Sequence, residues 1–511
     1  MRVFLFLAAA SVPAIATAQQ TPTVAAEATT APAQAPVTQT GTSDEGSAVS
    51  DEPDIIVEGQ RNLPGAVIGD IPPEQQLGPA DIRSYGVSSV ADLLTELSPQ
   101  TQSGVGGPPV VLLNGKRIAG FREIRDIPTE AIARVDILAE EVALKYGYRA
   151  DQKVINIVLR RRFRAVTGEL TDTIPTEGGT NSPQVELGML RIRDGGRLQL
   201  DSSYQTKSTL TESERDIAAT VSTGSTAAFE QRPYRTLQPF TRDLKTNAVY
   251  ARNIGQVSAT VNGSLESSES AGLNGYPGAI FVVPGATTST SSVFSGGSFV
   301  PLAQNSRSIT GHLGTTLNGA ISGWQWSLTG AYDHVDTKSY SDTGFDTSAY
   351  QARITAGDPT ASVAGPFLRS DLGAGLYNQG SSVSNNGALD LLVNGSPFSL
   401  PAGAVSTSLR LEGETSDLSS RSYRSGLIQS GTIARQRGNA QGNIDLPIAS
   451  RSKGVLSAIG DLSLNGNVGF QHLSDFGTLT TIGYGLRWTP IPKIRFIASS
   501  SNDKSAPTGG Q

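Results

Sequence analysis

The stretch Trp324-Gln325-Trp326-Ser327-Leu328-Thr329-Gly330-Ala331-Tyr332 decides the fold. Trp324, Trp326, Leu328, Gly330 and Tyr332 fall at every second position, and Gln325, Ser327 and Thr329 lie between them. A period of two belongs to a strand with one apolar and one polar face, not to a helix. The same alternation runs through Leu198, Leu200, Ser202, Tyr204 and Thr206, and through Val257, Ala259, Val261, Gly263 and Leu265. It returns in Leu462, Leu464, Gly466, Val468 and Phe470, and in Thr480, Ile482, Tyr484, Leu486 and Trp488. Segments of about ten residues with this pattern fit transmembrane β-strands. Trp324, Trp326, Tyr484 and Trp488 lie where an interfacial aromatic girdle is expected. A soluble β-sandwich or β-solenoid alternates as well. Long polar stretches between strands, such as Ser339 to Ser348, fit the outer loops of a membrane barrel better than a compact sandwich.

Composition agrees with this texture. The 511 residues include 56 glycines, 37% hydrophobic residues and 17% charged ones, which is poor in charge and in large apolar side chains for a soluble helical protein. No cysteine is present, which excludes disulfides, thiol nucleophiles and sulfur-ligated metals. His312, His334 and His472 are too scattered in sequence to suggest a metal cluster. A net charge of −6 gives no basic surface for nucleic acid.

Upstream of the alternating region, from about Leu63 to Phe163, the sequence reads as a small α/β domain. Val90, Leu93, Leu94 and Leu97 form one helix face; Ser89 with Asp92 is an acidic capping box, and Pro99 is expected to stop the helix. Val110 to Leu113 reads as a strand, turned by Asn114-Gly115 and returning through Lys116 to Ile118. A short helix opens at Pro128 and runs through Ile132, followed by a strand from Val135 to Leu138. A second short helix covers Glu140 to Tyr146 with Gly147 as its cap, and Val154 to Leu159 is a further strand.

The N-terminus reads as an address. Arg2, the apolar run Val3 to Val12 and the small-residue site Ala16-Thr17-Ala18 make residues 1–18 a cleaved secretory signal peptide. Residues 19–53, rich in Ala, Thr, Pro, Gln and Ser, read as a disordered leader. The short run Ile55-Ile56-Val57 follows, flanked by Asp54 and Glu58-Gly59. An exported chain without a long apolar helix crosses a membrane only as strands closed into a barrel.

Three stretches together resemble the TonB-dependent outer-membrane receptors. Asp54, Ile55, Ile56, Val57, Glu58 and Gly59 resemble that family's energy-coupling box. Val90 to Pro99 and Val110 to Ile118 resemble the early plug. Ile132-Ala133-Arg134-Val135-Asp136-Ile137-Leu138, Tyr146-Gly147 and Val154-Ile155-Asn156-Ile157-Val158 follow the family's order and approximate spacing. Ala139-Glu140-Glu141 and Asp151-Gln152-Lys153 depart from it, where Arg-Gly-Pro and a Gly-Gly pair are usual. The resemblance implies a small α/β plug domain (63–163) followed by antiparallel transmembrane β-barrel strands (165–511). It also implies a receptor in the outer membrane of a Gram-negative bacterium, taking up an unknown small ligand. Its partners are then outer-membrane lipid and the inner-membrane protein TonB, held at the box. The physics runs the same way: a wide barrel leaks unless obstructed, and an exposed β-branched run on a tether adds an edge to a partner's sheet. The alternative for Ile55-Ile56-Val57 is the first strand of the plug.

Only about a dozen strands can be marked after Ala165, where plugged transporters have roughly 22. The expectation is therefore an incomplete barrel, the front part of a receptor. Other constellations are weaker. Arg160-Arg161-Arg162 with Arg164 reads as a solvated linker before an anion site, and Glu140-Glu141 as an exposed helical turn. Asp333 beside His334 is too little for catalysis. No phosphate loop, zinc-helix motif or nucleophile elbow is present, so neither a cofactor, a metal nor an enzyme activity is expected. The competing reading is a non-transporting surface or periplasmic β-rich binding protein; a secreted polysaccharide-active enzyme is a weaker third.

Overall fold

The computed structural model describes residues 65–67, 73–101, 109–139, 141–148, 152–218, 230–286, 289–294, 298–424, 426–491, 494–502, 504 and 506. The signal, leader and coupling-box assignments lie outside the described residues.

The α/β domain is a four-stranded sheet in the order β1-β3-β4-β2, where β1 is Gln75–Leu77, β2 Val110–Leu113, β3 Ile132–Leu138 and β4 Val154–Leu159. β2 runs parallel to β4; the other pairs are antiparallel. Every residue of β4 is buried, because helices or wall cover both faces of this central strand. On one face the helix Val90–Thr101 presses Val90, Leu93 and Leu97 onto Ile132, Val135, Ile155 and Ile157. On the other, the short helix Glu141–Lys145 brings Val142 and Ala143 against Leu112, Leu138 and Val154, with Tyr146 beside them.

The Val90–Thr101 helix begins as the sequence predicts. The Asp92 N–H donates to Ser89 Oγ (3.2 Å), and the Ser89 hydroxyl donates to the Asp92 carboxylate (2.7 Å). Pro99 does not stop it and lies inside the last turn. Its missing N–H leaves one helical bond unmade, and the Thr101 hydroxyl donates to the Leu97 carbonyl (3.0 Å) in that turn. The expected hairpin at 110–118 is also corrected. Asn114 and Gly115 have φ of 52° and 71°, as a tight two-residue turn requires. Only a single Leu113–Lys116 bridge follows it. The chain then leaves the sheet, and Arg117 reaches for a partner on the wall.

That wall is a 13-stranded antiparallel sheet running from Phe163–Thr173 to Ile494–Asn502, each strand beside its neighbour in sequence. Tight turns at Asp194-Gly195 and Ser322-Gly323, with positive φ at all four residues, lie at the rim where the sheet leaves the α/β domain. The longer connections 208–239, 274–302 and 346–374 lie at the opposite rim. Two of these, 274–302 and 346–374, share an apolar cluster that includes Phe281, Phe294 and Tyr350.

The alternating sets read from the sequence all lie inside strands, with their apolar side chains turned away from the α/β domain. Leu313 (58% exposed), Tyr332 (49%) and Leu389 (56%) belong to this outer face. On Trp324–Phe345 the apolar band runs from Trp324 to Tyr332 and gives way to His334, Asp336 and Lys338. Eight steps of ~3.3 Å on a strand tilted by ~40° make this band about 20 Å tall, close to the apolar belt of a membrane barrel. Trp324, Trp326 and Trp488 all lie near the tight-turn rim.

Ser339 to Phe345 belongs to this strand rather than to a loop. Above the band both faces are polar, so alternation vanishes from the sequence, while backbone pairing with Ala303–Ile321 and Gly375–Gly395 continues. The strand outlasts its own signal. Among the described residues, Phe163–Thr173 and Ile494–Asn502 each have one neighbour, so the sheet stays open.

Candidate functional site: the seam between plug and wall

The inner face of the sheet is polar and is covered by the α/β domain. Among the described residues, one short segment makes most of the charged contacts across this seam. Six of the eleven residues from Lys116 to Asp126 are charged, a local density far above that of the chain.

Arg117 and Glu123 are the two deeply buried charges of this segment. The Arg117 side chain is 4% exposed, and its Nη1 donates to Asp390 Oδ1 at 2.7 Å. The second oxygen of Asp390 accepts from Arg410 Nε at 2.6 Å. The Tyr148 ring lies within cation–π range of both guanidiniums, 5.2 Å from Arg117 and 5.5 Å from Arg410. Arg410 also donates to the Gly147 carbonyl (3.2 Å), and Asn394 Nδ2 donates to the Lys145 carbonyl (2.8 Å). Gly147 has φ +73°, and a Cβ there would sit 2.8 Å from Leu392 Cδ1. Only glycine lets the backbone lie this close to the wall. Burial opposes the charge on Arg117, but Tyr148 and Asp390 outweigh it and raise the guanidinium pKa.

A second lock is a nearly dry pair, Arg197 Nη2 to Glu123 Oε1 at 3.1 Å, with side chains 4% and 3% exposed. Burial pushes the Glu123 carboxyl up, against the pull of Arg197 and of the Ala119 N–H. A third cluster is wetter. Arg122 donates to Asp333 (2.9 Å), which also meets His312 Nδ1 (2.8 Å). Arg125 pairs with Asp126 (3.0 Å) and reaches Glu266 (3.6 Å), while Asn247 Nδ2 donates to Asp126 (3.0 Å). Buried ion pairs rarely add much net stability, but they fix geometry, because breaking one strands a charge in a poor solvent. The seam is thus held in register and remains separable.

The weaker sequence candidates fall apart in space. Asp333 faces the plug, whereas its neighbour His334 lies on the other face and meets Asn385. Arg162 is 81% exposed, with Asp194 3.8 Å away. Among the described residues no group of three His, Asp or Glu side chains is placed to hold a metal ion. The sequence reading missed the seam. Its available signal was the charge density of residues 116–126 in a chain otherwise sparing with charge.

The α/β domain locked onto the polar face of an outwardly apolar antiparallel sheet is the architecture of a plugged β-barrel, here incomplete. No family model matches the chain, and no curated protein matches it. Solved structures similar to it include the siderophore receptor PirA from Pseudomonas aeruginosa, at 12% identity and TM-score 0.43, with 85% of this chain and 62% of that one covered. PirA from Acinetobacter baumannii gives 13% and 0.40, covering 85% and 61%. The RagAB peptide importer gives 8% and 0.41, covering 81% and 56%. The chain spans less than two thirds of the length of these proteins.

Proposed function

We propose that the chain is an outer-membrane receptor of the TonB-dependent kind, in which residues 63–163 obstruct the barrel and are moved to admit a ligand. The supporting observation is the seam. Arg117, Glu123 and Arg122 fix the α/β domain to the polar face of a sheet whose other face is an apolar band. A domain placed so obstructs whatever the sheet encloses, and its polar, hydrogen-bonded contacts separate at less cost than a dry apolar core. In this reading residues 1–18 are the export signal and 19–53 the tether. Asp54, Ile55, Ile56, Val57, Glu58 and Gly59 add a strand to TonB, which supplies the pull.

Two experiments test this. Replacing Ile56 with Pro removes a backbone donor and should weaken strand addition at least about tenfold. Titration of a Gln19–Arg61 peptide, with and without the change, into the TonB C-terminal domain reads this directly, and equal affinities refute the coupling role. For membrane placement, Leu317→Arg at mid-band, paired with Leu328, should cost ~2–4 kcal/mol, and Ser267→Arg beyond the band ~0–1. The first variant should therefore vanish from the host's outer membranes while the second persists. Equal retention of both, or recovery of the unaltered chain only from the soluble periplasm, contradicts the placement.

A further inference from the structure

The outer face of the long strands changes character row by row as it climbs from the apolar band toward the long connections. Arg242, Glu269, Arg307, Lys338, Ser381 and Arg421 pair across adjacent strands and form one such row. Lys338 shares its face with Leu328 and Tyr332 by the period of two, so the row lies on the side turned away from the plug. One step beneath it stand Leu244, Ile309 and Val383 among polar neighbours, the fading margin of the band. One step above it stand Tyr340 and Tyr423. The Tyr377 ring lies between theirs, at 5.6 and 4.7 Å. Each step of two residues on a tilted strand rises about 5 Å.

The middle row carries four basic side chains and one acidic one. Glu269 lies 3.7 Å from Arg242 and 3.5 Å from Arg307, and Asp336 of the row beneath lies 3.2 Å from Lys338. Arg421 has no ionic partner among the described residues. It borders a shallow depression of about 490 Å³ with Ser381, Val383, Ser419, Ser430 and Thr432. Arg307 directly opposite Lys338 is a like-charged cross-strand pair, which is destabilising on a bare sheet. An anion beside them relieves that repulsion. Lys338 and Arg421 are two strand spacings of ~4.8 Å apart, so their long side chains can converge on one phosphate above Ser381.

We infer that this patch holds a phosphorylated glycolipid of the outer leaflet, its phosphate between Lys338 and Arg421 and its sugar against Tyr340, Tyr377 and Tyr423. This rests on the membrane placement proposed above and names the lipid that the wall meets. The order of the rows carries it. Apolar, then basic, then aromatic is the order of acyl chain, phosphate and sugar in such a lipid. A guanidinium and neighbouring hydroxyls donate to phosphate oxygens. Tyrosine, with an apolar body and a polar tip, suits sugar rings that present both C–H and O–H groups. A phospholipid without sugar leaves the tyrosines unused, and an uncharged glycolipid leaves Arg421 unpaired.

The test keeps the full chain in its host's outer membranes. Ser381 is replaced by photoreactive benzoylphenylalanine, and the irradiated chain is analysed by mass. An adduct with a phosphorylated glycolipid is expected. Lys338→Gln combined with Arg421→Gln should lower its yield per membrane-inserted chain at least about tenfold. Arg252→Gln, on the same face near the tight-turn rim, should leave the yield unchanged. No lipid adduct, adducts only with sugar-free phospholipid or uncharged glycolipid, or a yield indifferent to the double variant overturns the inference and leaves the receptor reading intact. The Leu317→Arg retention assay and the Ile56 peptide report separately on that reading. Recovery of the chain only from the soluble periplasm refutes both.

Discussion

Asp390→Ala is expected to release the plug. The substitution removes the carboxylate shared by Arg117 and Arg410 and leaves a buried guanidinium without a counter-charge. Removing one partner of such a pair costs ~3–5 kcal/mol, or roughly two to four powers of ten in the equilibrium between seated and released plug. Because the chain has no cysteine, a single Leu392→Cys reports this cleanly. Leu392 is a wall residue buried beneath Gly147 in the cluster that includes Val142 and Tyr146 of the plug, so maleimide reaches position 392 only when the domain lifts. Labelling in outer-membrane vesicles should be slow in the parent and faster by that factor in the Asp390→Ala variant. Asp390→Asn, which keeps one acceptor oxygen, should fall between them. Identical labelling rates in all three deny Asp390 its role as the latch. Arg117→Met with Asp390→Leu removes both charges and should restore slow labelling, since an apolar pair leaves nothing stranded.

The latch also shows how far the sequence could be read. Strands with one apolar and one polar face were legible, because that asymmetry imposes a period of two: Trp324 to Tyr332, Leu462 to Phe470 and Thr480 to Trp488 all lie in strands. The plug helix was legible from Val90, Leu93 and Leu97, and its cap from Ser89 and Asp92. Two things were not. Beyond Tyr332 the strand continues with polar residues on both faces, held by backbone pairing that leaves no mark on side-chain pattern. Arg117 and Asp390, 273 positions apart, form a pair that no local pattern announces, since each alone reads as an ordinary surface charge. Only the crowding of charge between Lys116 and Asp126 pointed to that face of the domain. The proline expected to end the Val90 helix misled for a related reason. Proline bars one hydrogen bond, and in a last turn that loss is small.

Refolded alone into detergent or lipid, the 511-residue chain should not become a heat-resistant, protease-resistant barrel. Phe163–Thr173 and Ile494–Asn502 are the two outermost strands of the described sheet, and each carries a row of backbone groups facing no neighbour. In hydrocarbon each unpaired group costs several kcal/mol, so an open sheet edge across even a few residues outweighs the few kcal/mol by which a domain is normally stable. The plug does not escape the consequence. Leu190, Ile192 and Leu392 of the wall complete its two apolar clusters, so a disordered wall exposes Ile155, Val142 and their neighbours to solvent. The expected gel shows no heat-shifted mobility and progressive proteolysis through both regions. A heat-shifted, resistant species from the refolded chain alone would mean that Phe163–Thr173 and Ile494–Asn502 find each other. Thirteen strands would then close around less space than the plug needs, which would push the plug out and break the Arg117–Asp390 contact. Leu392→Cys labelling of that species would reveal it.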